Sequence, residues 1–220
     1  MWTETLIKMI GKGILETLYM VFLSSLIAYI IGIPVGILLV VTDKDGIAPH
    51  IILNKIFGVI VNLLRSVPFI ILLIAVSPFT RALIGTTIGP TAVVVSLTIA
   101  AAPYIARLVE SSLKEVDQGV IEAAQSMGAS TKQIILKVLL PEAKPSLITG
   151  AAIAVTTILG YSAMSGFVGG GGLPDIAIRY GYYRYETDVM LVTVAILVVI
   201  VQVIQEIGTR WTRKSDKRIS

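Results

Sequence analysis

Long apolar stretches separated by short polar ones run through the whole sequence. A helix needs about 20 apolar residues to cross the hydrocarbon core of a bilayer, because it rises about 1.5 Å per residue. Five stretches meet or approach this length. They predict an all-α fold, a polytopic membrane helix bundle with five transmembrane helices. The predicted spans cover residues 17–41, 57–80, 82–106, 148–168 and 187–206.

The composition supports a membrane protein and narrows its chemistry. Hydrophobic residues make up 55% of the 220-residue chain, more than is usual in soluble domains. Cysteine is absent and His50 is the only histidine, which argues against disulfides, thiolate metal sites and histidine-based triads. The phosphate-binding pattern G-x-x-x-x-G-K-[ST] is absent as well. We therefore predict a chain that is not an enzyme, with no catalytic residues, no metal and no cofactor of its own.

Basic residues are distributed unequally between the predicted loops, which orients the bundle. With the N-terminus outside and the C-terminus in the cytoplasm, 12 of the 18 lysines and arginines fall in cytoplasmic segments and five fall outside. Positive charge favours the cytoplasmic side of a membrane protein. The net charge of +4 is thus a topology signal and does not indicate nucleic-acid binding. Arg65 falls within the second span, where we expect a structural role near the cytoplasmic end.

The polar interval between the third and fourth spans, residues 110–145, has the pattern of two short helices joined by a glycine. Asp117 precedes the first helix and can accept hydrogen bonds from its free N–H groups. Gly128 ends it, because glycine adopts a left-handed conformation without a Cβ clash. Small Ala123 and Ala124 would let another protein's surface come close. Apolar residues repeat on one face of this helix at Val120, Ile121, Ala124 and Met127.

A second short helix is predicted after this glycine. Ser130 and Gln133 have the spacing of a capping box, in which each residue's side chain binds the other residue's backbone N–H. Pro141 is expected to end the helix, because it lacks an N–H group and clashes with the preceding turn. The charge distribution places the whole interval in the cytoplasm. The apolar face of this helix consists of Ile134, Ile135, Val138 and Leu139.

Glycines mark possible helix contacts and turns. The pairs Gly32-x-x-x-Gly36 and Gly85-x-x-x-Gly89 have the spacing that lets membrane helices approach closely, although such pairs also arise by chance in a glycine-rich chain. The segment Gly166–Pro174 predicts a flexible outer hairpin, since runs of glycine resist helix formation. His50, next to a proline, is expected to be a solvated loop residue.

The fourth span carries a polar face that a lipid-facing helix would not need. Such a face suits either a cavity wall or a simple helix–helix seam. Its members are Thr149, Thr156, Gly160 and Met164, flanked by Tyr161 and Ser165.

Family motifs occur in four places. The series E-A-A-x3-G-x9-V-x-L-P at Glu122–Pro141 resembles the EAA loop of permease subunits of binding-protein-dependent ABC importers. Three further stretches, R-S-V-P-F, A-A-P-Y-I-A-R and G-Y-S-A-M-S-G with the glycines after it, resemble the methionine-uptake branch of that family. They lie at Arg65–Phe69, Ala101–Arg107 and Gly160–Gly172.

The resemblance implies a type I importer fold and a mechanism. Residues 13–206 would form the permease transmembrane domain, with the cytoplasmic EAA coupling loop at 110–145 and a basic cytoplasmic tail at 207–220. Two copies would pair as a homodimer in a bacterial inner membrane. Two separate ATPase subunits would bind ATP and Mg, and an extracytoplasmic binding lipoprotein would deliver D- or L-methionine. The residues matching the family's coupling motif are Glu122, Ala123, Ala124 and Gly128.

The substrate pathway is expected along the polar face of the fourth span. Met164 would narrow it, because a thioether side chain is long and fills gaps adaptably. The residues predicted to line the pathway are Thr156, Gly160, Tyr161, Met164 and Ser165.

Other functions fit parts of the sequence. An ABC importer permease for another amino acid or for a quaternary-amine osmolyte would carry a similar coupling loop. A channel or secondary transporter would work without ATP, and ion coupling would call for acidic residues within the spans. None of the 14 Asp and Glu residues lies in the middle of a predicted span, which argues against this second class.

Overall fold

The computed structural model describes residues 4–215, and within this range every regular element is helical and no strand occurs. The all-α prediction is confirmed. Two π-helical turns, Ile135–Leu139 and Ala177–Tyr182, and a 3-10 turn, Gly166–Val168, join neighbouring helices. In chain order the helices are α1 (Glu4–Val41), α2 (Ile51–Ser66), α3 (Phe69–Ile84), α4 (Pro90–Lys114), α5 (Gln118–Ser126), α6 (Thr131–Ile134), α7 (Leu140–Glu142), α8 (Lys144–Ser165), α9 (Gly172–Ile176) and α10 (Thr187–Ser215).

Several of the described helices can cross a membrane. Four are long and apolar enough alone: Glu4–Val41, Pro90–Lys114, Lys144–Val168 and Thr187–Thr212. The helices α2 and α3 meet the same requirement only as a pair, and the chain bends by 110° between them. The described residues therefore contain four candidate spans, or five if the bent pair counts as one, in agreement with the predicted membrane helix bundle.

The second predicted span, 57–80, is not one continuous helix. The chain leaves the helical conformation after Ser66 and resumes it at Phe69. Pro68 explains the break, because it has no N–H group to donate and its ring disfavours a helical conformation in the residue before it. The predicted span is therefore divided between two helices that meet at a sharp bend.

The third predicted span, 82–106, is displaced along the chain. Helix α3 reaches Ile84, and α4 begins only at Pro90. Gly85 and Gly89 have φ angles of 84° and 95°, and a Cβ on either glycine would meet nothing within 4 Å. These glycines form a turn between two helices, so the prediction that they mediate close helix packing is wrong.

The chain divides into two compact units. The first contains the described part of 1–28 together with 67–101 and 154–205, and the second contains 29–66, 102–153 and the described part of 206–220. The predicted coupling interval, 110–145, lies entirely within the second unit.

Close contact between α1 and α4 organises the second unit. A Cβ on Gly32 would lie 2.7 Å from Ile105 Cγ2, and a Cβ on Gly36 would lie 2.7 Å from the Ala106 carbonyl oxygen. Only glycine permits this approach, so the predicted packing role of this pair is confirmed. Buried Leu39, Val61 and Ala106 form a core cluster beside it, with Val35 and Phe57 packed against them.

The glycine-rich segment Gly166–Pro174 is packed within the first unit. The Gly172 N–H donates to Glu16 Oε2 at 2.8 Å, and the Leu173 N–H donates to Thr17 Oγ1 at 2.9 Å. The Leu173 side chain is fully buried. The prediction of a flexible hairpin is wrong, because side chains of α1, 156 residues earlier, hold this backbone in place.

The C-terminal helix extends further than predicted. The fifth span, predicted over 187–206, begins at the same residue as α10, but the helix continues to Ser215. Part of the predicted basic tail, 207–220, is therefore helical. Residues 216–220 of that tail lie outside the described part of the chain.

Candidate coupling surface

The helix α5 has a defined cap at each end. The Asp117 carboxylate accepts a hydrogen bond from the Gly119 N–H at 2.8 Å, as predicted for an N-cap. At the other end Gly128 has a φ of 76°. Its N–H donates to the Gln125 carbonyl at 2.9 Å, and the next N–H, of Ala129, donates to the carbonyl five residues earlier at 3.1 Å. This is a Schellman motif, so the predicted helix end at glycine is confirmed.

The second half of the coupling interval is also capped as predicted, but it does not end at proline. Ser130 and Gln133 form both hydrogen bonds of a capping box. The chain then widens into the π turn Ile135–Leu139, in which the Leu140 N–H donates to the Ile135 carbonyl. This shift lets the helical path continue through Pro141 into α7, because the wider turn does not require the missing N–H.

The four residues of the predicted coupling motif differ in exposure. Glu122, Ala123 and Gly128 are exposed, whereas Ala124 is only 5% exposed and faces the interior with Ile121. The Ala124 side chain therefore packs toward the interior and does not form part of the outer surface of α5. Met127 and Val120, two members of the predicted apolar face, are 81% and 43% exposed. The outer surface of α5 thus combines a carboxylate, small residues and these two apolar side chains.

A cleft of about 410 Å³ adjoins this surface. Glu122 and Gln125 of α5 line it, together with the end of α4 and the connection between α1 and α2. Lys114 and Asp43 also line this cleft, and the Lys114 ammonium lies 2.8 Å from Asp43 Oδ2 and 3.0 Å from Glu110 Oε1. The hydrogen bond from Lys114 lowers the pKa of the Asp43 carboxyl, and the Lys44 backbone N–H contributes in the same direction.

These ionic contacts were not predicted from the sequence. Asp43 and Lys114 are 71 residues apart, and neither belongs to a motif. The sequence indicated only that both residues lie at the cytoplasmic ends of two predicted spans. Charge placement therefore located both residues near the same membrane surface but did not pair them.

The residues predicted to line the pathway do not share one surface. Gly160 and Met164 are exposed on α8, Met164 to 41%. Thr156 and Tyr161 are half-buried, and the Tyr161 ring stacks on an aromatic ring at the start of α3 with centroids 5.0 Å apart. Ser165 is fully buried, and its hydroxyl donates to a carbonyl of its own helix at 2.6 Å. The exposed part of the predicted lining is thus Gly160 with Met164.

Two other residues considered in the sequence lie at helix ends. Arg65 is exposed in the last turn of α2. His50 is exposed just before α2, and its Nδ1 accepts a hydrogen bond from the Leu53 N–H at 3.2 Å. His50 is therefore a solvated residue that also caps a helix start.

Most of the chain matches one family of membrane proteins. Residues 29–220 match the family described as "Binding-protein-dependent transport system inner membrane component". The chain belongs to this family. It is a multi-pass inner membrane protein and a permease component of ABC transporters, and it is not an enzyme.

Individual relatives of this permease family carry consistent names. A Vibrio cholerae protein, "Probable D-methionine transport system permease protein MetI", is 51% identical over 203 residues, which cover 92% of this chain and 90% of that protein. The "D-methionine transport system permease protein MetI" of Escherichia coli K12 is 48% identical over 164 residues, 74% of this chain and 76% of that protein.

Two solved structures share the fold of this chain. A chain of the MetNI methionine ABC transporter, in an inward-facing conformation, has a TM-score of 0.96 and 46% identity, and the match covers 98% of this permease and 100% of that chain. An amino acid ABC transporter solved with histidines has a TM-score of 0.78 at 20% identity, with 97% of this permease and 100% of that chain covered. This second likeness concerns the fold alone.

Proposed function

We propose that the chain forms, as a homodimer, the translocation pathway of an ATP-driven methionine importer. The names of the MetI relatives and the identity to a chain of the MetNI methionine transporter support this substrate. The N-terminus lies outside and the C-terminus in the cytoplasm, where two separate ATPase subunits bind ATP and Mg. An extracytoplasmic binding lipoprotein delivers D- or L-methionine.

The capped helix α5 is the proposed docking element for the ATPase. The observation that carries this role is that both caps of α5 come from within its own segment, while Glu122 and Ala123 remain exposed. A helix stabilised locally keeps its shape when a partner moves it. ATP binding favours whichever arrangement of the ATPase pair binds ATP more tightly, and α5 carries that preference into the permease.

Charge reversal at the docking surface tests this proposal. Glu122→Lys is expected to leave membrane insertion intact and to remove the ATPase from the purified complex, because Glu122 is exposed and makes no ion pair within the described chain. The measurement is the stoichiometry of ATPase co-eluting with the permease. Glu142→Lys, at another exposed glutamate of the same segment, is the matched control and should co-elute normally.

Two results would contradict the docking role. Normal co-elution of the Glu122→Lys variant would show that α5 is not the docking element. Equal loss in both variants would show a general sensitivity of the segment to positive charge. Uptake of labelled D- and L-methionine by cells with and without the wild-type chain tests the substrate separately.

The exposed face of α8 is the proposed pathway wall. Gly160 leaves room beside it, and the Met164 side chain projects from the same face four residues later. Met164→Ala should therefore change methionine uptake or raise basal ATP hydrolysis in the assembled transporter, whereas Met164→Leu, which conserves volume, should change both much less. Unchanged uptake and ATP hydrolysis in Met164→Ala would contradict a narrowing role.

A further inference from the structure

An unbroken series of polar contacts runs along one face of the last turns of α4. Arg107, Glu110 and Lys114 are spaced three and four residues apart, so their side chains lie on one face of the helix. Arg107 pairs with Glu110, and Glu110 pairs in turn with Lys114 at 3.0 Å. The series belongs wholly to the second unit.

Each end of this series leaves α4 for a different element. At one end Arg107 Nη2 donates to Asn62 Oδ1 at 2.8 Å and to the Gly58 carbonyl at 3.3 Å, both on α2. At the other end Lys114 binds Asp43, the second residue after α1, at 2.8 Å. The same three side chains therefore tie α4 to the body of α2 and to the end of α1.

The Lys114 end lies directly before the coupling helix. Lys114 is the last residue of α4, and Asp117, the N-cap of α5, follows three residues later. A displacement of α5 is passed to this position through a very short connection. Lys114 and Glu122 also line the same cleft, so movement of α5 changes the surroundings of both.

Exposure distinguishes this contact from a purely stabilising one. The side chains of Lys114 and Asp43 are 48% and 34% exposed, and ion pairs this open to solvent add little to stability. Glu110 is only 11% exposed and accepts from cations on both sides. Buried Glu110 fixes the geometry of the series, whereas the exposed pair of Lys114 and Asp43 lies close to the start of the coupling helix.

We propose that Lys114 is a positioning residue that, by holding Asp43 and Glu110 together, transmits movement of the coupling helix to α2 and the end of α1. This inference rests on the proposed function, because it presumes that an ATPase moves α5. Loss of the Lys114 charge should leave ATPase docking and ATP hydrolysis in place, but part of the ATP should be hydrolysed without transport of methionine. The fault would be in transmission rather than in assembly.

The test measures methionine uptake and ATP hydrolysis in parallel, with the permease and its ATPase reconstituted in proteoliposomes. Lys114→Met, which keeps an unbranched side chain of nearly the same length and removes its charge, should retain the ATPase and hydrolyse ATP within about twofold of wild type. The number of ATP molecules hydrolysed per methionine should rise about tenfold, the scale of a typical coupling between sites. Lys114→Arg should return this ratio close to the wild-type value.

Two further variants identify the pair and control for charge. Asp43→Asn keeps the acceptor for the Lys44 N–H and removes only the carboxylate charge, so it should raise the ratio less than Lys114→Met does. Combined with Lys114→Met it should add nothing, since both changes remove the same contact. Lys44→Met alters a neighbouring lysine that lies 3.6 Å from Asp45 and outside the series, and it should leave the ratio unchanged.

Several results would overturn the proposal. One is a wild-type ratio in Lys114→Met, and another is a parallel fall of uptake and ATP hydrolysis, which indicates a structural role. If Lys114→Met does not assemble, Asp43→Asn decides, and an unchanged ratio in that variant overturns the proposal. Absence of ATPase binding or methionine uptake by the wild-type chain would instead refute the proposed function.

Discussion

Two segments of the chain turn sharply at glycines, and they are held in opposite ways. The coupling segment, Asp117–Pro141, takes its caps from side chains two or three residues away. The glycine segment, Gly166–Pro174, is held by Glu16 and Thr17, which lie 156 residues earlier. The first segment is stable through its own sequence, whereas the second depends on α1 remaining in contact with it.

This difference suits the two segments to different structural roles. A segment that carries its own caps keeps its shape while its surroundings change, which is what a docking helix requires. A segment capped by another helix depends on the position of that helix. When the helix moves away, the backbone N–H groups of the segment lose their acceptors. Substitutions should therefore lower the global unfolding free energy less in the coupling segment than in the glycine segment.

Alanine at one glycine of each segment gives the largest expected contrast. Gly172 and Gly128 share a φ of 76°, and alanine in that conformation costs about 1–2 kcal/mol at either position. A Cβ at Gly172 would also lie 2.6 Å from Thr17 Oγ1, and such overpacking adds about 1–3 kcal/mol. Nothing lies within 4 Å of a Cβ at Gly128. Unfolding in mixed detergent micelles should show a loss at Gly172 roughly twice that at Gly128.

The matched backbone angle makes this pair its own control. Both variants place alanine at the same positive φ, so the difference in unfolding free energy reports mainly the packing around the Cβ. Equal losses would mean that α1 does not hold the glycine segment as tightly as the contacts indicate. The glycine segment would then be held by its hydrogen bonds to α1 and not by packing.

The local sequence predicts the coupling segment better than the glycine segment, because only the coupling segment is held by residues close by in the chain. The caps at Asp117 and Ser130 were predicted correctly, because partner and cap lie within one helical turn. The helix end predicted at Pro141 was wrong, since the argument from its missing N–H does not anticipate a π turn that removes the need for that N–H. The packing of Gly166–Pro174 and the pairing of Lys114 depend on residues far away in the chain, which no local pattern reveals. The spacing of Gly32 and Gly36 indicated a possible close approach, but the same spacing at Gly85 and Gly89 forms a turn, so spacing alone does not decide between the two.

Removing one hydrogen-bonding side chain that holds each segment should produce smaller effects. Thr17→Val conserves volume and leaves the Leu173 N–H without its acceptor in a fully buried position. An unsatisfied buried donor costs about 1–3 kcal/mol, and the loss should appear in global unfolding. Thr193→Val is the control, because that buried hydroxyl bonds only to carbonyls of its own helix, and it should cost less.

Asp117→Ala is the counterpart in the coupling segment and should have the smallest effect. Loss of an N-cap costs about 1 kcal/mol, and the N–H groups it frees are exposed to water. Amide exchange should become faster in the first turn of α5, while global unfolding changes little. Asp117→Asn should keep exchange slow, because asparagine caps about as well as aspartate. A global loss in Asp117→Ala as large as that in Thr17→Val would mean that the coupling segment, too, depends on the rest of the fold.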